Sequence, residues 1–159
     1  MPSPKVASAR TIANRAAKIV YNKAAVDALY AGMVDGLLEI GETIRADYQA
    51  TAPRDPEIAA KRGVPMMADS AHVAVWGLGK LVSGDTTVAA GANKPRGIKT
   101  PADQVVMTVY VSSPIAHFSE LGTIKEVAHP ALLPAFNRGV PGAEKVLVPA
   151  MGKRIRAVP

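Results

Sequence analysis

The chain has 159 residues, enough for one domain with a single modest core. Hydrophobic residues make up 48% of it but aromatic residues only 4%, so the core should be rich in small side chains and complete its burial against neighbouring subunits. The absence of cysteine excludes disulfides, thiolate metal sites and cysteine nucleophiles, which fits a protein made in a reducing cytoplasm. No run of about 18 apolar residues is present to cross a bilayer, and the first residues lack the apolar stretch of a secretory signal.

The net charge of +6 is unevenly placed. Residues 1–23 carry Lys5, Arg10, Arg15, Lys18 and Lys23 without an acid, and residues 138–159 carry Arg138, Lys145, Lys153, Arg154 and Arg156 against Glu144 alone. The body between them is mildly acidic. Two basic ends on such a body form a handle for something anionic, either DNA or an acidic protein surface; the simpler reading is that they keep the chain soluble.

In chain order, residues 8–19 are Ala-rich and helix-compatible but short. Asn22 suits the N-cap of a stronger helix in which Val26, Leu29, Tyr30, Met33, Leu37, Ile40, Ile44 and Tyr48 recur every three or four residues as a buried stripe. Asp35, Glu39 and Glu42 fall on the opposite side, towards solvent, and Pro53 ends the helix. Residues 53–66, with Pro53, Pro56, Gly63 and Pro65, read as a loop with at most one short turn. Residues 71–76 suit a strand, and Gly77 to Lys80 a turn into Leu81 and Val82. Residues 86–89 suit a further short strand, and 91–102 a basic loop whose Lys94, Arg96 and Lys99 are candidate contacts to DNA or a partner. The clearest strand runs over 104–112, with Val105, Met107, Val109 and Val111 on one face and Val106, Thr108 and Tyr110 on the other. One face is expected on the long helix, the other on a neighbouring chain. Ser113 and Pro114 suit the N-cap and first position of a helix over 115–121, and Gly122 a left-handed cap at its end. A last helical stretch begins near Leu132, is broken at Pro141-Gly142 and resumes over 143–155. The order is helix, small antiparallel sheet, helices: an α+β fold. It divides into a basic arm or short helix over 1–21, a domain over 22–140 and a basic helix or tail over 141–159.

Catalytic signatures are sparse. His72, His117 and His129 are scattered, and no HExxH, Walker-type loop or GxGxxG occurs; Gly77-Leu78-Gly79 only begins one. His117 and Glu120, three apart, could face one metal, but such pairs arise readily by chance. Ser70 near His72 in sequence carries little weight, because triads are built in space. Trp76 and Tyr110 could stack on bases, yet strand aromatics more often serve a core or interface. The residues favour neither an enzyme nor a cofactor.

The most specific stretch joins Phe118, Glu120-Leu121-Gly122-Thr123 and, after a short loop, Pro130-Ala131-Leu132-Leu133-Pro134-Ala135. This order resembles the tail-component (tail-completion, head–tail joining) family of long-tailed bacteriophages, whose members carry an aromatic, then Glu-x-Gly-Thr, then Pro-aromatic-Leu-x-Pro-Ala. With the long helix ending at Ala52-Pro53, the resemblance covers about residues 22–140. It departs at Arg54 to Met67, which replaces a shorter segment, and at Ala131, where an aromatic is usual.

The resemblance implies a structural virion protein: a cyclic ring, a hexamer, at the phage neck. Its implied neighbours are the tail tube or terminator on one side and the connector or head-closure protein on the other. No catalysis or cofactor is implied. Phe118, Glu120, Gly122, Thr123, Pro130, Leu132, Pro134 and Ala135 are expected to define a corner of the fold. Glu120 is placed to accept from backbone amides, a loop arginine or a neighbouring subunit. Lys153, Arg154 and Arg156 join the loop cations as candidate contacts to packaged DNA or a partner. The rival of a different class is a small basic nucleic-acid-binding protein.

Overall fold

The computed structural model describes residues 22–77, 80–86, 100–101, 104–125 and 127–159. Helix α1, Lys23–Thr51, is the spine of the α+β fold. Asn22 caps it, its side chain accepting from the Ala25 amide at 3.3 Å, and the Ala52 amide closes on the Tyr48 carbonyl at 2.7 Å just before Pro53. The remaining elements are α2 (Pro56–Arg62), a 3-10 turn (Ala68–Ser70), β1 (Ala71–Gly77), β2 (Lys80–Gly84), β3 (Val105–Val111), α3 (Ala116–Leu121), α4 (Leu132–Gly139) and α5 (Glu144–Arg156).

The sheet is antiparallel with strand order β2-β1-β3. Its β1–β3 register pairs Val73 with Val109 and Val75 with Met107. Because side chains alternate along a strand, those residues share one face, and it lies on α1. A Cβ on Gly41 would overlap Val73 and come within 2.9 Å of the Met107 sulfur, so helix and sheet touch through a glycine. The other face is not a bare apolar surface: Trp76 Nε1 donates to Thr108 Oγ1 (3.0 Å), and Tyr110 stacks on His72 with ring centroids 5.1 Å apart.

The core joins Ile40, Ile44 and Tyr48 to five alanines, Ala52, Ala68, Ala71, Ala131 and Ala135, as expected of an aromatic-poor chain. Burial on α1 departs from the expected single stripe. Val26 is exposed, whereas Gly32, Val34, Gly36 and Gly41 are buried. The helix packs on two sides, against the sheet and against α5. A Cβ on Gly32 would stand 2.5 Å from Met151 Cα and 3.0 Å from the Ala150 carbonyl oxygen, so α5 rests on the helix backbone itself. Segment 141–159 is therefore docked along α1 by helix α5.

Three further expectations are corrected. The stretch after Pro53 holds a helix, because Asp55 caps α2 by accepting from the Ile58 amide (2.9 Å), Pro56 sits in its first turn and Gly63 ends it at φ 62°. Ser113 does not cap α3: its side chain is buried and, among the described residues, Oγ has no hydrogen-bond partner, while Ile115 holds the cap position. Gly122 has positive φ (76°) but ψ 175°, an extended glycine-only conformation instead of the left-handed helical one. The strand expected over 86–89 and the basic loop with Lys94, Arg96 and Lys99 lie outside the described residues, apart from the non-strand Thr86 and residues 100–101.

Candidate functional site

Of the residues singled out between Phe118 and Ala135, Glu120 at the end of α3 meets the start of α4 at Ala131 and Leu132, and Glu120 and Leu132 line one groove with Val109 of β3. A helix leaves its first amides without intrahelical partners. Ala131, at the N-cap of α4, has no side-chain oxygen to serve them. Glu120 supplies it from the end of α3: Oε1 accepts from the amides of Ala131 (3.0 Å) and Leu132 (3.0 Å), and Oε2 lies 3.2 Å from the Ala131 amide. The negative charge also suits the positive end of the helix dipole. Of the three partners left open for Glu120, the backbone amides hold it.

The loop is pinned at a second point, the His129 amide donating to the Ser119 carbonyl at 2.7 Å. Within it Gly122 turns the chain out of α3, and Thr123 Oγ1 accepts from the Lys125 amide at 3.2 Å. Pro130 precedes the capped residue, and Pro134 falls in the first turn of α4, where a missing amide hydrogen costs nothing. Ala131 and Ala135, one helical turn apart, enter the core, and Leu132 packs against it. Ala131 is buried in the same cluster as the Tyr48 ring.

Tyr48 is fully buried, and among the described residues its hydroxyl has no hydrogen-bond partner. Its ionisation is pushed well above the ordinary tyrosine range, mainly by burial and further by the negative charge of Glu120. Above the clamp lies an open apolar groove of about 320 Å³ lined by Val109, Glu120, Leu132, Leu133 and Phe136. Along α3, the loop after it and α4, side chains that would ordinarily be inside are outside: Leu121 and Val127 are 80% exposed, Ile124 fully so, Leu133 62%, and Phe118, Phe136 and Val140 also face solvent.

A second polar constellation escaped sequence reasoning. His72 Nε2 lies 3.0 Å from Ser112 Oγ and Nδ1 lies 3.6 Å from an Asp85 carboxylate oxygen, which places serine, imidazole and carboxylate in line. Ser112 is only 1% exposed, and its Oγ is also 3.2 Å from the Ser70 carbonyl oxygen, so the hydroxyl is closed off from a substrate. With the Ser112 amide donating to the same carbonyl at 2.9 Å, the group ties the end of β3 to the turn before β1. Only the strand register brings these residues together, and no local motif announces it.

The basic candidates separate. Arg154 Nε donates to Asp35 at 2.7 Å, and Arg138 Nε to Asp47 at 2.7 Å; each carboxylate, by hydrogen bond first, holds its guanidinium more firmly protonated. A trench of about 320 Å³ between α1 and α5 sets Asp35 and Glu39 near Lys145 and Lys153. Asp35 and Glu39 are solvent-exposed, as expected, and lie on the side of α1 that borders the basic helix, while Glu42 pairs with Arg45 on α1 itself. Lys153 and Arg156 are exposed on the last turn of α5. His117 is exposed and its ring contacts Phe118, while Glu120 is committed to α4; among the described residues no three His, Asp or Glu side chains gather to hold a metal. No described helix is long and apolar enough to cross a membrane. No protein-family model, curated protein or solved structure matches the chain.

Proposed function

We propose that this chain is a structural protein of the virion, a subunit of a cyclic ring that helps join tail to head around the DNA channel of a long-tailed bacteriophage. The observation that carries this reading is the convergence of the tail-component-like residues. Glu120, Gly122, Thr123, Pro130 and Pro134 lie in one braced connection between α3 and α4, and the same stretch of chain holds large apolar side chains out in solvent. A ring subunit needs such rigid, repeated contact surfaces and no catalytic centre. The partners proposed are further copies of the chain, then the tail tube or terminator and the connector or head-closure protein, with non-specific contact to packaged DNA.

The rival reading, a free nucleic-acid-binding protein, draws less support, since Arg154 and Arg138 are occupied by α1 carboxylates. Imaging of assembled particles that carry the tagged chain tests the proposal. Ring density at the head–tail junction is the expected result. Particles that form normally without the chain, together with tight and steeply salt-dependent binding of the purified protein to duplex, would replace it with the rival.

A further inference from the structure

We propose that the outer edge of β3 binds an extended, uncharged segment of a neighbouring protein as a further strand of the sheet, with one apolar side chain of that segment filling the groove between β3 and α4. The inference needs only the strand edge and stands apart from the ring reading. Strand β3 is the last in the order β2-β1-β3, and two hydrogen bonds fix which of its backbone groups face outward. The Asp85 amide donates to the Val73 carbonyl at 2.8 Å, so Val73 turns its backbone towards β2 and away from its partner Val109. The Ser112 amide donates to the Ser70 carbonyl at 2.9 Å, one step beyond the pairing of Ala71 with Val111. Backbone groups alternate sides along an antiparallel pair, so Val106, Thr108 and Tyr110 are the residues that bond to β1. Val105, Met107, Val109 and Val111 turn their N–H and C=O groups the other way, and among the described residues those groups have no hydrogen-bond partner.

The two edges of the sheet are unlike. Strand β2 carries Lys80 and ends at Gly84 (φ 99°), and its register with β1 slips between Val75 and Trp76, all features that discourage further pairing. Strand β3 reads Val-Val-Met-Thr-Val-Tyr-Val, seven residues without a charge, a proline or a glycine. An edge of that composition is a template for another strand. What stands beside it selects the occupant. The groove of about 320 Å³ has Val109 on one wall and Leu132, Leu133 and Phe136 of α4 on the other, and none of its lining comes from β1. A slot between a strand edge and a helix suits one extended chain, held by main-chain bonds and chosen by the side chain that enters the pocket. In an added antiparallel strand the residue opposite Val109 projects on the same face as Val109, and so into the groove. Among the described residues Glu120 is the one charged group in the lining, and its carboxylate is engaged by the α4 amides. Leu, Met or Phe therefore fits there, whereas Asp or Glu is repelled.

Because a strand edge reads backbone, a designed peptide serves as the probe: acetylated and amidated Lys-Thr-Val-Thr-Leu-Thr-Val-Thr-Lys. A second version carries Asp in place of Leu. Two more are N-methylated, one at Val and Leu, whose amides would face β3, the other at the inner Thr residues, whose amides would face away. Amide hydrogen exchange of the full-length chain is followed residue by residue with each probe at saturating concentration. The parent probe should slow exchange at Met107, Val109 and Val111 by at least about tenfold, and so should the Thr-methylated probe. The Asp and Val/Leu-methylated probes should not. Val109→Pro removes an outward donor that the fold does not use, so it should melt like the parent yet lose the effect. Leu133→Asp, on the exposed wall of the groove, should do the same and stands in if the proline variant fails to fold. No slowing with the parent probe, or equal slowing with both methylated probes, would overturn the proposal. Slow exchange at these amides before any probe is added would overturn it as well. In a protein that sediments as a monomer that result would mean that the chain covers its own edge, and in an oligomer that a second copy does.

Discussion

The Glu120 carboxylate accepts from the amide of Ala131, eleven residues further along the chain, at 3.0 Å, and in doing so caps a helix whose own N-cap residue cannot. Replacing Glu120 with Ala leaves two amides without acceptors and should cost about 1–3 kcal/mol of unfolding free energy. Glu120→Gln keeps one acceptor oxygen and loses the charge at the helix end, so its cost should be smaller, about 0.3–1 kcal/mol. Urea denaturation of both variants checks the order. Equal stability of Glu120→Ala and the parent would show that the clamp is not what holds α4.

Gly122 occupies φ 76°, ψ 175°, a region closed to side chains bearing a Cβ. Gly122→Val is expected to lose about 1–3 kcal/mol and to loosen the loop carrying Leu121 and Ile124. Thermal melting reads the first effect, and proteolytic cleavage within residues 122–130 reads the second.

Tyr48 couples the core to pH. Burial, and then the charge of Glu120, raises its ionisation above the unfolded value of 10.0, so the folded state holds the phenolic proton more tightly than the unfolded state. The linked stability is present in full below pH 10 and is lost as pH rises through the unfolded and towards the folded value. Tyr48→Phe should therefore flatten the alkaline fall in melting temperature. At pH 7 it should be neutral or stabilising by up to about 1 kcal/mol, because the hydroxyl it removes is buried without a partner.

The contact of α1 with α5 makes Gly32 and Gly152 a contrasting pair. At Gly32 a Cβ would stand 2.5 Å from the Met151 backbone, whereas at Gly152 the nearest atom is the tip of the Arg156 side chain at 3.8 Å. Gly32→Ala should cost about 1–3 kcal/mol by forcing the helices apart. Gly152→Ala should be neutral or stabilising by up to about 1 kcal/mol, through helix propensity alone. Calorimetry of the two variants is the check.

The cations of α5 should divide by role. Arg154→Gln removes the ion pair with Asp35 and should lower the melting temperature at low salt, with the difference shrinking near 1 M salt. Lys153→Gln with Arg156→Gln should leave melting unchanged and weaken whatever anionic contact the helix makes. Duplex binding and ring stacking, measured separately, distinguish DNA from an acidic neighbour.

The backbone outline was legible where side chains report burial. The three-and-four spacing from Leu29 to Tyr48 marked α1, and the valines of 105–111 marked β3. The second face of α1 was hidden because Gly32 and Gly36 bury backbone and add nothing to a hydrophobic pattern. Helix α2 was obscured by Pro56, which breaks a helix in its interior but suits its first turn. The corner residues were visible as a motif. The choice of the α4 amides for Glu120, and the line from Asp85 through His72 to Ser112, depended on contacts between distant segments that no local spacing encodes.

The mass of the purified full-length chain in solution, followed by light scattering across a wide concentration range and with tail-tube protein added, bears most directly on the central claim. A closed oligomer of defined mass is expected, six times the 16.6 kDa of one chain, alone or once tail-tube protein is present. A protein that remains at 16.6 kDa under every condition would contradict the ring and with it the proposed place in the neck.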